Sequence, residues 1–196
     1  MKSSRPLELC DEEGISLLTC CAEKLTQAIG NCVPGHIVGI LGRLGKAMEN
    51  LGCDTYGAIC IYCLLKLLLE AMVQYIYIRS IGIENPIAYV RRRSRGYASF
   101  SVTMIKRLRN VHGSKKRWIL KIYLQIAKFV HPSDMVWTST THLDVRLARE
   151  TLDATLYLLV HAIRNGVLDK GCANLDILRS LAEECELSES LRLLSR

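Results

Sequence analysis

Between Arg91 and Lys121 the chain carries Arg91, Arg92, Arg93, Arg95, Lys106, Arg107, Arg109, Lys115, Lys116, Arg117 and Lys121, and no acid. Tyr97, Phe100 and Trp118 interleave with these cations. Clustered cations neutralise phosphates and release counterions, and aromatic rings offer bases a surface to stack on. Such a run suits a nucleic-acid face, with RNA the first expectation, or a surface that docks an acidic protein, or a solvated face that keeps the chain soluble. Histidine is the side chain that exchanges protons near neutral pH. His112 follows Arg107 by five positions, His131 stands just before Pro132, and His161 lies among Leu158, Leu159, Val160 and Ile163. Glu70 shares an otherwise apolar stretch with Lys66 and Gln74, at i, i+4, i+8 spacing. That spacing puts all three on one helix face. The face is either a narrow solvent edge or the wall of a polar pocket, where a buried Glu70 would need an Arg, His or Lys partner.

The elements that must position these residues read as helices. Hydrophobic residues make up 49% of the 196 residues and charged ones 23%, with four prolines, a globular composition that one domain accommodates. Apolar periodicity of 3.6 places helices near 10–30, 36–51, 54–80, 98–111, 115–130 and 143–165. One or two short helices follow over 171–194. No stretch alternates convincingly with period two. The expectation is an all-α, single-domain bundle of about seven helices over 1–196, with its core at about 10–166 and little or no sheet. Asp11 is a candidate N-cap, and Gly52, Gly113 and Gly166 are stops. Gly39, Gly42 and Gly45 nearly share a face, which suggests close approach of a neighbouring helix. Arg146–Glu150 and Arg149–Asp153 form i, i+4 pairs that mark a solvent face.

Other chemistries fit less well. Gly39–Ala47 superficially matches a phosphate-binding loop, but five residues separate Gly39 from Gly45 and Ala47 replaces the magnesium-binding hydroxyl. Cys60 and Cys63 form a CxxC with no second ligand pair at matched spacing, so packed or disulfide-bonded cysteine is expected and a metal or other cofactor is not. Nine cysteines in a cytoplasmic chain would mostly pack as reduced small apolar residues, with a disulfide pair or two and at least one free thiol. The N-terminus lacks the apolar region of a secretion signal. Residues 58–78 could span a bilayer by length, yet Lys66, Glu70 and Gln74 interrupt them, so stable membrane insertion is not expected.

Three segments in order, LLLEAMVQYIYI (Leu67–Ile78), FSVTMIKRL (Phe100–Leu108) and IYLQIAKFVHPS (Ile122–Ser133), resemble archaeal helical proteins of unassigned function related to the HEPN superfamily. The likeness covers roughly residues 67–133. It implies a helical bundle, a possible homodimer and, in many superfamily members, ribonuclease activity in defence or stress systems through an Arg-x4–6-His motif. Arg107-x4-His112 satisfies that spacing, whereas Leu108 stands where catalytic copies carry a polar residue. A metal-independent endoribonuclease needs a histidine to move the 2′-hydroxyl proton and a cation to oppose charge on the phosphorane. Arg107 with His112 could perform these tasks, as could His131 with an arginine of the basic connector, and Glu70 would orient the His or Arg. The nucleic-acid-binding set would be Arg91, Arg92, Arg93, Arg95, Lys106, Arg109, Lys115, Lys116 and Arg117. The alternative is a non-catalytic helical adaptor that docks an acidic protein through the same cations.

Overall fold

In the computed structural model, described over residues 11–51, 54–83, 100–130 and 142–195, the chain forms an all-α bundle. Among the described residues eight α-helices follow one another: α1 Glu12–Ile29, α2 Gly35–Leu51, α3 Thr55–Ser80, α4 Phe100–Arg107, α5 Gly113–Val130, α6 Val145–Arg164, α7 Leu175–Glu184 and α8 Ser188–Leu194. A single 3-10 turn, Lys170–Cys172, precedes α7. No strand occurs among the described residues. The expected boundaries hold to within a few residues, and the segment 171–194 resolves into the turn and two short helices.

Local chemistry explains the helix ends. Asp11, Asp54, Asp144 and Asn174 each accept a backbone N–H of the following first turn, which satisfies donors that have no partner inside the helix. α6 ends at Gly166, whose φ of 67° is a left-handed conformation that costs a glycine little. Gly14 answers a different demand. A Cβ there would lie 3.0 Å from a Val145 methyl and 2.9 Å from Asp11 Oδ1, so the starts of α1 and α6 can approach closely only because residue 14 has no side chain.

α3 and α6 form the centre. α3 packs on α2, α4, α5 and α6, while α6 packs on α1, α3, α5 and α8. Ile61, Leu65, Leu68, Leu69 and Met72 of α3 are fully buried, and fully burying such a side chain stabilises the fold by about 1.5–3 kcal/mol. Among the described residues α3 is the one helix long and apolar enough to cross a membrane, and half of its apolar window is buried inside the bundle. Tyr62 pins the two central helices together. Its hydroxyl accepts the Asp144 N–H at 2.7 Å and donates to the His142 carbonyl, its ring stacks on Phe129, and burial pushes its pKa up to about 12.

Three expectations are corrected. Of the α2 glycines only Gly45 faces a neighbour, with its missing Cβ 3.6 Å from Glu23 Cγ; a Cβ on Gly42 would meet nothing within 4 Å, and one on Gly39 would meet only the flexible end of Arg43. The three glycines therefore do not form a packing stripe. The Arg146–Glu150 pair forms, but Arg149 turns to Glu186 and Asp153 is buried. Asp153 instead accepts the Glu189 N–H at 2.9 Å, the Ser190 N–H at 2.8 Å and the Ser190 hydroxyl at 2.6 Å, so it caps α8 from across the bundle. Burial raises its pKa against the pull of those hydrogen bonds. Finally, Cys21–Cys185 and Cys32–Cys172 are disulfides that tie the α1–α2 region to the C-terminal helices, whereas Cys20, Cys60 and Cys63 are free and exposed rather than packed. Helical phase explains the last point, because Cys60 and Cys63 share an α3 face with exposed Tyr56 and Leu67.

Candidate nucleic-acid interface

The seven cations from Lys106 to Lys121 lie on the end of α4, the turn after it and the first half of α5. α4 ends on Lys106 and Arg107, and the chain then turns through Asn110, which adopts a positive φ of 59°. Asparagine tolerates that region better than most residues. α5 restarts at Gly113 with Lys115, Lys116 and Arg117 in its first turns and no acid among them. The two helices run antiparallel, because Lys116 Nζ donates to the Lys106 carbonyl at 3.3 Å while Ser101, at the other end of α4, lies beside Tyr123. The corner thus sets three cations against the positive end of the α5 dipole, an arrangement that repels itself and favours an anion.

His112 sits at the start of α5. Its carbonyl accepts the Lys115 and Lys116 N–H groups, and its Nδ1 lies 2.8 Å from Ser114 Oγ and 3.3 Å from the Ser114 N–H. A backbone N–H can only donate, so Nδ1 accepts and the proton of the neutral ring resides on Nε2. The ring is exposed, as are Lys106, Arg107, Arg109, Arg117 and Lys121. Among the described residues no carboxylate lies within ion-pair distance of Lys106, Arg107, Arg109, Lys116, Arg117 or Lys121. Arg107 and His112 therefore share this corner.

Glu70 occupies a different place. Its Oε1 accepts the Tyr123 hydroxyl at 2.7 Å and lies 3.5 Å from Lys66 Nζ, on a half-buried face between α3 and α5. Burial first, and then the Glu70 carboxylate, push the Tyr123 phenol well above its ordinary pKa, with Ser101 opposing. Ser101 and Arg107 are six residues apart on α4, roughly 9 Å along the helix axis. Glu70 therefore serves Tyr123 and Lys66 rather than the corner. Arg91, Arg92, Arg93, Arg95 and His131 lie outside the described residues.

Beneath the corner is a cluster that sequence reasoning missed. Lys115 pairs with Glu189 of α8 and stands over the rings of Trp118 and Tyr157, 5.4 and 5.6 Å from their centroids. Trp118 meets Tyr157 edge-on, and Tyr157 stacks on His161. Trp118 is thus half-buried support rather than a free stacking platform. Burial lowers the pKa of His161, against the opposing effect of its contact with the Arg109 backbone. The helical spacing of Tyr157 and His161 was visible in the sequence, but the partners from α5 and α8 were not. No protein-family model, curated protein or solved structure matches this chain.

Proposed function

We propose that the α4–α5 corner binds nucleic-acid phosphates, and that the chain is an RNA-associated, HEPN-like protein of the archaeal cytoplasm acting in defence or stress response. One observation carries this reading: six exposed or half-exposed cations on the α4–α5 hairpin have no carboxylate partner among the described residues. Of the other described cations, Lys24, Lys66, Lys115, Arg146, Arg149 and Arg192 each have one, whereas Arg43, Lys46, Arg79, Arg164, Lys170 and Arg179 have none but are spread over α2, α3 and the C-terminal half of the chain. Cations left unpaired at close range repel each other, and phosphates relieve that repulsion. Two disulfides are compatible with an intracellular place in a hyperthermophile. If the corner also cleaves RNA, the 2′-oxygen bonds to phosphorus as the bond to the 5′-oxygen breaks; His112 in its imidazolium form gives the Nε2 proton to the leaving 5′-oxygen, water takes the 2′-hydroxyl proton, and Arg107 opposes the phosphorane charge.

The test is binding of a labelled mixed-sequence RNA in EDTA across a salt series. Six phosphate contacts on a single strand give a log–log slope of about −4, so affinity falls several hundredfold between about 50 and 200 mM salt. Arg117→Glu with Lys121→Glu should weaken binding and flatten the slope. Salt-independent binding, or affinity indifferent to this charge reversal, refutes the phosphate reading. Cleavage lost in His112→Ala with binding retained would add the nuclease; binding with the RNA left intact would make the chain a non-catalytic binder.

A further inference from the structure

We propose that Cys60 and Cys63 form a two-thiolate binding site for a soft monovalent metal ion of the copper(I) class on the exposed face of α3. The two thiols are one helical turn apart in the interior of α3, and both are free and exposed. Tyr56, 86% exposed, and Leu67, 46% exposed, flank them at i, i+4, i+7, i+11 spacing, so the whole stripe faces solvent.

Three lines of chemistry select this ligand. Residues i and i+3 of a regular helix hold their Cβ atoms about 5–6 Å apart, whereas a disulfide needs about 3.5–4.5 Å. The pair therefore cannot close on itself without unwinding α3, in a chain that does oxidise Cys21 with Cys185 and Cys32 with Cys172. Two collinear metal–sulfur bonds of about 2.3 Å span ~4.6 Å, a separation the thiols reach by rotating about their Cα–Cβ bonds. Among the described residues no third His, Cys, Asp or Glu joins them. Two sulfurs satisfy a d10 ion that accepts two ligands, but they leave a tetrahedral zinc half-empty and are too soft for calcium or magnesium.

The groups also communicate. Cys60 and Cys63 lie one turn apart, and Lys66 stands one turn beyond Cys63 on the same helix. A bound cation removes the thiolate–thiolate repulsion. On binding, two S–H bonds break, two metal–sulfur bonds form and two protons pass to solvent, with no change of oxidation state.

The full chain, disulfides intact, is titrated anaerobically into the coloured copper(I)–bicinchoninate complex. The expected result is transfer of one copper per monomer, unchanged in Cys20→Ser and abolished in Cys60→Ser and in Cys63→Ser. Circular dichroism checks that each variant keeps its helices, and Cys60→Ala and Cys63→Ala serve as second variants if a serine unfolds α3. Persistent chelator colour with the wild-type chain overturns the proposal. So does copper uptake by the doubly substituted Cys60→Ser, Cys63→Ser chain, or half a copper per chain accompanied by a dimer on gel filtration.

Discussion

Replacing Cys32 and Cys172 together by serine opens one of the two nested covalent rings among the described residues, and the nesting fixes how much stability each should carry. Cys21–Cys185 joins residues 164 apart and encloses Cys32–Cys172, which joins residues 140 apart. In the chain-entropy description, closing a loop of that length in the unfolded chain stabilises the fold by about 5 kcal/mol. Once either bridge exists, the other closes only the smaller ring made of residues 21–32 and 172–185, about 25 residues, and adds about 3.5 kcal/mol. Removing either bridge alone should therefore cost about 3.5 kcal/mol, and removing both about 8.5 kcal/mol. The double loss exceeds the two single losses by about 1.5 kcal/mol, because whichever bridge remains still closes a long loop. A single loss corresponds to a melting temperature lower by roughly 7–14 °C for a chain of this size. The assay is guanidinium unfolding followed by circular dichroism for the Cys32→Ser, Cys172→Ser chain, the Cys21→Ser, Cys185→Ser chain and the combined variant. Strictly additive losses would refute the nested-ring reasoning, and single losses below about 1 kcal/mol would refute the stabilising role itself.

Gly42→Ala should stabilise the protein by about 1 kcal/mol, since alanine is the better helix former and the added Cβ meets nothing within 4 Å. A loss of stability in urea would show that α2 has an unrecognised neighbour there. Because burial lowers the pKa of His161, the unfolded chain binds a proton that the folded one resists. Stability should therefore fall as pH drops below about 6.5. His161→Gln should flatten that fall relative to wild type, and an unchanged slope would refute the assignment.

Much of the fold was legible because helices announce themselves locally. The apolar period of α1, α5 and α6, the cap at Asp11 and the stop at Gly166 are all written within a few residues of where they act. What the sequence hid depends on distant arrivals. Asp153 reads as an i, i+4 partner of Arg149, yet the Glu189 and Ser190 amides reach it from 36 and 37 positions away and make it an internal cap. Glu70 reads as a carboxylate in need of an Arg, His or Lys, and it has Lys66 at 3.5 Å, but its hydrogen bond is the Tyr123 hydroxyl. Gly39, Gly42 and Gly45 share a face in projection, yet only the last meets α1, because crossing helices touch over a short length.

The candidate site shows the same division between charge, which is additive along a sequence, and pairing, which is not. Lys115 and Lys116 are adjacent, identical and equally suited to a phosphate on paper. In the fold α8 delivers Glu189 to Lys115, and Trp118 and Tyr157 lie beneath its ammonium, so its charge is spent inside the protein. Among the described residues Lys116 meets the Lys106 carbonyl and no carboxylate. On the phosphate-binding reading, Lys116→Ala should reduce the magnitude of the RNA salt slope by about 0.7, the share of one phosphate contact. Its stability should change by less than about 1 kcal/mol, the ordinary effect of a surface substitution. Lys115→Ala should leave the slope alone and destabilise by about 1 kcal/mol, through the lost cation–π contacts and the lost Glu189 pair, with Arg192 still 3.1 Å from that carboxylate. Measuring both variants by RNA titration and by chemical unfolding separates the two lysines. The reverse outcome, with RNA affinity following Lys115 and stability following Lys116, would mean that the α5–α8 contact opens when the ligand binds.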